Sequence, residues 1–110
     1  MANTYKILGQ TNPSTTANAN LYTVPSGTAA VVSSLVITNV TAVDAIARVF
    51  IREAGASATT NNSIAYDVTI AANSVATFTL GITMGAADII TVQSDTANAI
   101  AFHAFGSEVN

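Results

Sequence analysis

Apolar positions along the chain come in short runs, many of them alternating with polar ones, and turn residues separate the runs. A period of two belongs to a strand, whose successive side chains point to opposite faces. The pattern predicts strands at Thr4–Leu8, Leu21–Val24, Thr28–Asn39, Ala45–Glu53, Ile64–Ile70, Val75–Leu80, Asp88–Ser94 and Ala99–Phe105. Between them lie a polar loop from Gly9 to Asn20, a turn at Pro25-Ser26-Gly27, and the small Thr41–Asp44 connection. An exposed loop at Ala54–Asn62, a tight turn at Ala71-Ala72-Asn73 and a turn through Asp95–Asn98 complete the set. Gly81–Ala87 reads as a connection carrying an apolar plug, Ile82 and Met84. About eight antiparallel strands at this spacing predict an all-β chain, a single β-sandwich of jelly-roll or Ig-like type. At 110 residues a single domain over residues 1–110 is expected.

The alternation also sorts side chains by face. Ala76, Phe78 and Leu80 share one side of their strand, and Ile100, Phe102 and Ala104 share one side of theirs, opposite His103 and Phe105. Phe78 and Phe102 are expected in the core. In Ala45–Glu53, Ile46, Arg48, Phe50 and Arg52 oppose Ala47, Val49 and Ile51. The outer faces come out rich in Thr, Ser and Ala rather than in charge.

Composition sharpens that point. Of 110 residues, 50 % are hydrophobic and 8 % charged, where about 25 % charged is usual. Disorder is excluded, because it requires low hydrophobicity and high net charge. Three basic and six acidic residues give a net charge of −3, and with no basic patch to displace counterions from phosphates no nucleic-acid partner is expected. Cysteine is absent, which removes disulfides, thiolate nucleophiles and cysteine metal sites. The opening residues carry neither a basic n-region nor an apolar h-region, so no secretory signal is expected. The uncharged stretch between Lys6 and Asp44 is broken by Gln10, Asn12, Pro13 and Pro25, so no membrane span is expected. A soluble protein made in the cytoplasm is the expectation. The sequons Asn39-Val40-Thr41 and Asn61-Asn62-Ser63 read as chance matches.

Candidate chemistry is sparse. His103 is the single histidine, so any general base or metal ligand of that type must be this residue. A Ser-His-Asp site could be drawn with Asp88 or Asp95, but no nucleophile elbow or oxyanion loop accompanies it. The ordinary reading is a strand histidine in a structural hydrogen bond, and no catalytic residue, cofactor site or metal site is expected. The six carboxylates lack the spacing of a calcium loop and fit turn and solvent-facing roles. Arg48 and Arg52 flank Phe50. Their ordinary reading is a cross-strand pair with Asp67 or Glu53; their functional reading is contact with a partner's carboxylates. A glycan-binding module needs exposed aromatic platforms, for which Tyr5, Tyr22 and Tyr66 remain.

Two blocks carry a resemblance. Met1-Ala2-Asn3-Thr4-Tyr5-Lys6-Ile7-Leu8-Gly9-Gln10, continuing through Leu21-Tyr22-Thr23-Val24-Pro25 to Val31–Asn39, resembles small virion structural proteins of tailed bacteriophages. Ile64-Ala65-Tyr66-Asp67 through Leu80-Gly81-Ile82-Thr83 to Phe105-Gly106-Ser107-Glu108 looks like the same group. The resemblance implies a non-enzymatic β-sandwich located in the virion and assembled in the host cytoplasm. Its expected work is decoration or cementing of the capsid by binding the major capsid protein, as a homo-oligomer in the particle. The alternatives are a tail, fibre or adaptor component, or a host-surface glycan-binding module. The expected contact residues are Met1, Ala2, Asn3, Thr4, Tyr5, Lys6, Arg48 and Arg52, with the tail Gly106–Asn110 also placed to reach across.

Overall fold

The computed structural model describes residues 3–110 and contains eight strands in two four-stranded sheets. They are β1 (Asn3–Thr11), β2 (Ala19–Thr23), β3 (Ala29–Asn39), β4 (Ala45–Arg52), β5 (Ser63–Ile70), β6 (Val75–Met84), β7 (Ile89–Ser94) and β8 (Ile100–Val109). One sheet has the order β1-β8-β3-β6 and the other β2-β7-β4-β5, and every pairing is antiparallel. Four of the pairings join β1 to β8, β2 to β7, β3 to β6 and β4 to β5. They are the rungs of one long hairpin, folded at the β4–β5 connection. Rolling that hairpin brings β8 against β3 and β7 against β4. This order is the jelly roll, and it settles the choice between jelly-roll and Ig-like sandwiches.

The core lies between the sheets. Ala30, Val32, Leu35 and Ile37 of β3 meet Ala45, Ala47 and Val49 of β4, with Ile90, Val92, Ile100, Phe102 and Ala104 completing it. β3 presents even-numbered residues to the core before Ser33 and odd-numbered ones after it, because its register shifts between Val32 and Ser34 against both neighbours. That irregularity explains how an almost unbroken apolar run can serve one face.

Phe102 is fully buried, as expected; Phe78 lies on the edge strand β6 and is only partly buried against the core. The side chain of Leu80 lies outside the described residues. Phe50 is buried, yet it sits on the outer side of β4, under the 53–62 loop and edge-on to Tyr66 with ring centroids 6.4 Å apart.

Three strands run further than the pattern predicted. β1 continues through Gly9 to Thr11, β6 through Gly81 to Met84, and β8 through Gly106 to Val109. Ile82 and Met84 do plug the core, but from a strand rather than a connection. At Gly9 a Cβ would lie 2.1 Å from the Leu21 carbonyl oxygen, and at Gly106 one would lie 2.0 Å from that of Val31. No side chain fits at either place.

Candidate functional site

The turn chemistry uses three of the six acids. Asp44 accepts from the Ala72 N–H, Asp88 from Gly85 and Ala54, and Asp95 from Ile46, all at 2.8–2.9 Å. Each carboxylate therefore closes a loop against a neighbouring element. Among the described residues no group of three or more His, Cys, Asp or Glu comes together. His103 stands on the outer side of β8, opposite Gln10 of β1, and its Nδ1 lies 3.1 Å from the Gln10 amide nitrogen. Its ring stacks on Phe105 with the planes 5° apart. Asp88 and Asp95 are held in loops by the backbone bonds just described, so neither orients the imidazole.

The outer face of the β2-β7-β4-β5 sheet carries the two arginines. Arg48 Nε donates to Asp67 Oδ1 at 2.6 Å, and its guanidinium lies over the Tyr66 ring at 4.1 Å. Asp67 holds a left-handed backbone, φ 54°, at a register shift in β5, a conformation that Asp tolerates better than most residues. The bonded guanidinium keeps the Asp67 carboxyl below its usual range, and Asp67 raises that of Arg48 in turn. This is the cross-strand pair named from the sequence. Arg52 donates to the carbonyls of Ala56 and Gly55 at 2.6 and 3.0 Å and reaches Thr91 and Asn20 at 3.2 and 3.4 Å. Its fork is occupied in folding the 53–62 loop back. An open depression of about 400 Å³ lies beside Arg48, lined also by Thr16, Ile46, Asp67, Gln93 and Asp95.

Tyr22 is not an exposed contact. It is buried, and its hydroxyl donates to Glu108 Oε2 at 2.5 Å, while Lys6 Nζ lies 3.3 Å from Oε1. The triad ties β1, β2 and β8 together across both sheets. Burial, first, and then the neighbouring carboxylate push the Tyr22 phenol upward; the Tyr22 hydrogen bond, followed by Lys6, lowers Glu108.

The outer face of the β1-β8-β3-β6 sheet is of a different kind. Tyr5, Ile7, Val31 and Val75 project from it 82 %, 52 %, 37 % and 56 % exposed. Between them stand Val36, Thr38, Thr77, Thr79, His103 and Phe105. None of the nine charged side chains projects from this face: Lys6 and Glu108 turn to the other side of their strands, toward Tyr22. A shallow groove crosses it, lined by Tyr5, Val31, Ser33, Phe105 and Ser107.

The expected contact residues are thus divided. Met1 and Ala2 lie outside the described residues. The ladder pairs Asn3, Thr4, Tyr5 and Lys6 with Val109, Glu108, Ser107 and Gly106. The two terminal segments expected at a neighbour pair with each other, and outward they offer the edge of β1 and its outer face. Arg48 and Arg52 lie on the opposite side of the sandwich.

No protein-family model matches the chain, and no curated protein matches it. Among solved structures, a chain from the structure of infectious bursal disease virus, Gx strain, is similar over 97 % of this chain at 12 % identity and a TM-score of 0.47. A chain from the structure of the Gt strain is similar over 97 % at 10 % identity and a TM-score of 0.32. This chain spans 31 % and 29 % of the length of those two. The jelly-roll assignment rests on the strand order, not on these likenesses.

Proposed function

We propose that the chain is a virion structural protein whose work is contact, and specifically a capsid decoration or cement protein bound to the major capsid protein. One observation carries the reading: a whole sheet face without charge, from which Tyr5, Ile7, Val31 and Val75 project. Water-facing surfaces of small domains carry about 25–35 % charged residues, so such a face is suited to being covered. The resemblance of the two sequence blocks to small phage virion proteins supplies the setting. Fold alone does not, since one architecture hosts many functions.

The glycan-binding alternative has less support. Tyr22 is buried and Arg48 covers the ring of Tyr66, which leaves Tyr5 as the open ring among the three tyrosines. The test is stoichiometry in purified particles that carry the chain, read from a stained gel against the major capsid protein. A copy number comparable with that protein supports decoration, and a few copies per particle assign the chain to the tail instead. Attachment through an uncharged face should also survive raised salt, because screening acts on charge and not on packing. Release by moderate salt alone would contradict the reading.

A further inference from the structure

The outer face of the β1-β8-β3-β6 sheet has a shape, a size and a charge pattern that together select a partner. Its strands are 9, 10, 11 and 10 residues long in sheet order. At about 4.8 Å between strands and about 3.3 Å per residue the face projects to about 600 Å². Pleating and protruding side chains enlarge its accessible area toward the about 800 Å² per partner of a standard stable interface. The free face is therefore large enough for a specific contact when used whole.

From this we infer that the face pairs with the same face of a second copy, about a two-fold axis. A two-fold contact sets one patch against itself, so any charge near the axis meets its like. This face alone escapes that penalty: the opposite sheet carries Arg48, Arg52 and Asp67, and the 53–62 loop folds across it. The rest of the surface holds six acids against three bases, so copies repel except where charge is absent. Tyr5, Ile7, Val31 and Val75 then leave water together, and the Thr and Val side chains between them are small enough for two sheets to approach to the about 10 Å of stacked sheets. No charged side chain has to be desolvated. The inference concerns the free chain and stands on the face; it does not require the virion reading, in which the capsid protein takes the second copy's place on that face.

The test is sedimentation of the full chain at micromolar concentration, with far-UV circular dichroism to confirm the fold of each variant. The wild type is expected at twice the 11.2 kDa of one chain. Tyr5→Glu and Thr77→Glu each place a carboxylate on an exposed position of the face and should weaken the dimer about 100-fold, since an unpaired carboxylate would have to leave water in the interface. Thr69→Glu, an exposed position on the outer side of β5, should leave it intact. A monomeric wild type overturns the inference, even if the Tyr5→Glu chain then fails to join particles, because the face would serve a different protein. A dimer that survives both face variants overturns it equally.

Discussion

Asn39 is the polar side chain on which one end of the sandwich depends, and Asn39→Asp is the sharpest test of that. The residue is 1 % exposed. Its Nδ2 donates to the carbonyls of Val43 and Ile70 at 2.8 and 3.0 Å, and its Oδ1 accepts from the Thr41 N–H and hydroxyl at 2.9 and 2.8 Å. All four bonding positions of the amide are filled, and together they fasten the β3–β4 connection to the end of β5. Aspartate keeps the shape but replaces two donors with an oxygen facing two carbonyls. Two net bonds of about 1 kcal/mol each are lost and the buried Ile70 carbonyl loses its side-chain donor, while that of Val43 keeps the Thr41 hydroxyl at 3.0 Å, for a total of about 3 kcal/mol. That is a large share of the about 5–15 kcal/mol of a whole domain. Ionisation in this place is disfavoured, so the folded pKa rises above the unfolded value of about 3.9. Between those two values the folded state binds more protons, and stability falls as pH rises. Below the unfolded value the protonated carboxyl regains one donor, and the deficit shrinks to about 2 kcal/mol. Urea unfolding of wild type and variant at pH 4 and pH 7 reads the difference directly. Asn39→Ala supplies the control, since all four bonds go together, with a loss of about 4 kcal/mol that does not change with pH. An Asn39→Asp deficit that is the same at both pH values, or below about 1 kcal/mol at pH 7, would refute the reasoning.

Two further outcomes follow from the core and from the Tyr22–Glu108–Lys6 triad. Phe102→Ala should cost about 3–5 kcal/mol in thermal or urea unfolding, whereas Phe78→Ala, on a half-buried edge position, should cost about 1–2 kcal/mol; equal losses would contradict the assignment of Phe78 to an edge. Glu108 is held below its ordinary value of 4.5, so its contribution is present above that pH and lost as pH falls through the lowered value. Tyr22→Phe should remove about 1.5–3 kcal/mol at pH 7, the acceptor being an ionised carboxylate, and flatten the acid limb of the stability curve, and a curve parallel to that of wild type would show that the bond is without effect.

Strand positions were legible in the sequence and strand ends were not, for one physical reason at three places. Gly9, Gly81 and Gly106 each ended a predicted strand, because glycine weakens strands and marks turns. In the structure each sits in a strand beside a register shift: Gly9 beside that of β1, and Gly81 and Gly106 across from that of β3. Gly9 and Gly106 allow a backbone from a neighbouring strand to come closer than any Cβ permits. A glycine that breaks a strand and one that lets two backbones meet look alike in one dimension. In the sequence Asn39 shows only as the end of a strand and as part of a chance sequon. Its burial follows from the same shift, which turns odd-numbered residues of β3 inward.

The candidate face could not be read from sequence for a different reason. Alternation divides each strand into two sides, but it does not say which strands share a sheet. Tyr5, Val31, Val75 and Phe105 come from four strands that are never consecutive along the chain, and only the order β1-β8-β3-β6 gathers them. The charged residues were visible, and so was their scarcity, but not that their side chains all project elsewhere. Alternation places Arg48 and Arg52, two of the three basic residues, on one side of β4, and both lie on its outer side. What the sequence lacked was Asp67's bulge and the returning 53–62 loop, which occupy both arginines with this chain's own acceptors. A rare charge that finds an internal partner is explained by the fold. A broad face with none is not, and that is why contact is sought on the face that the basic residues avoid.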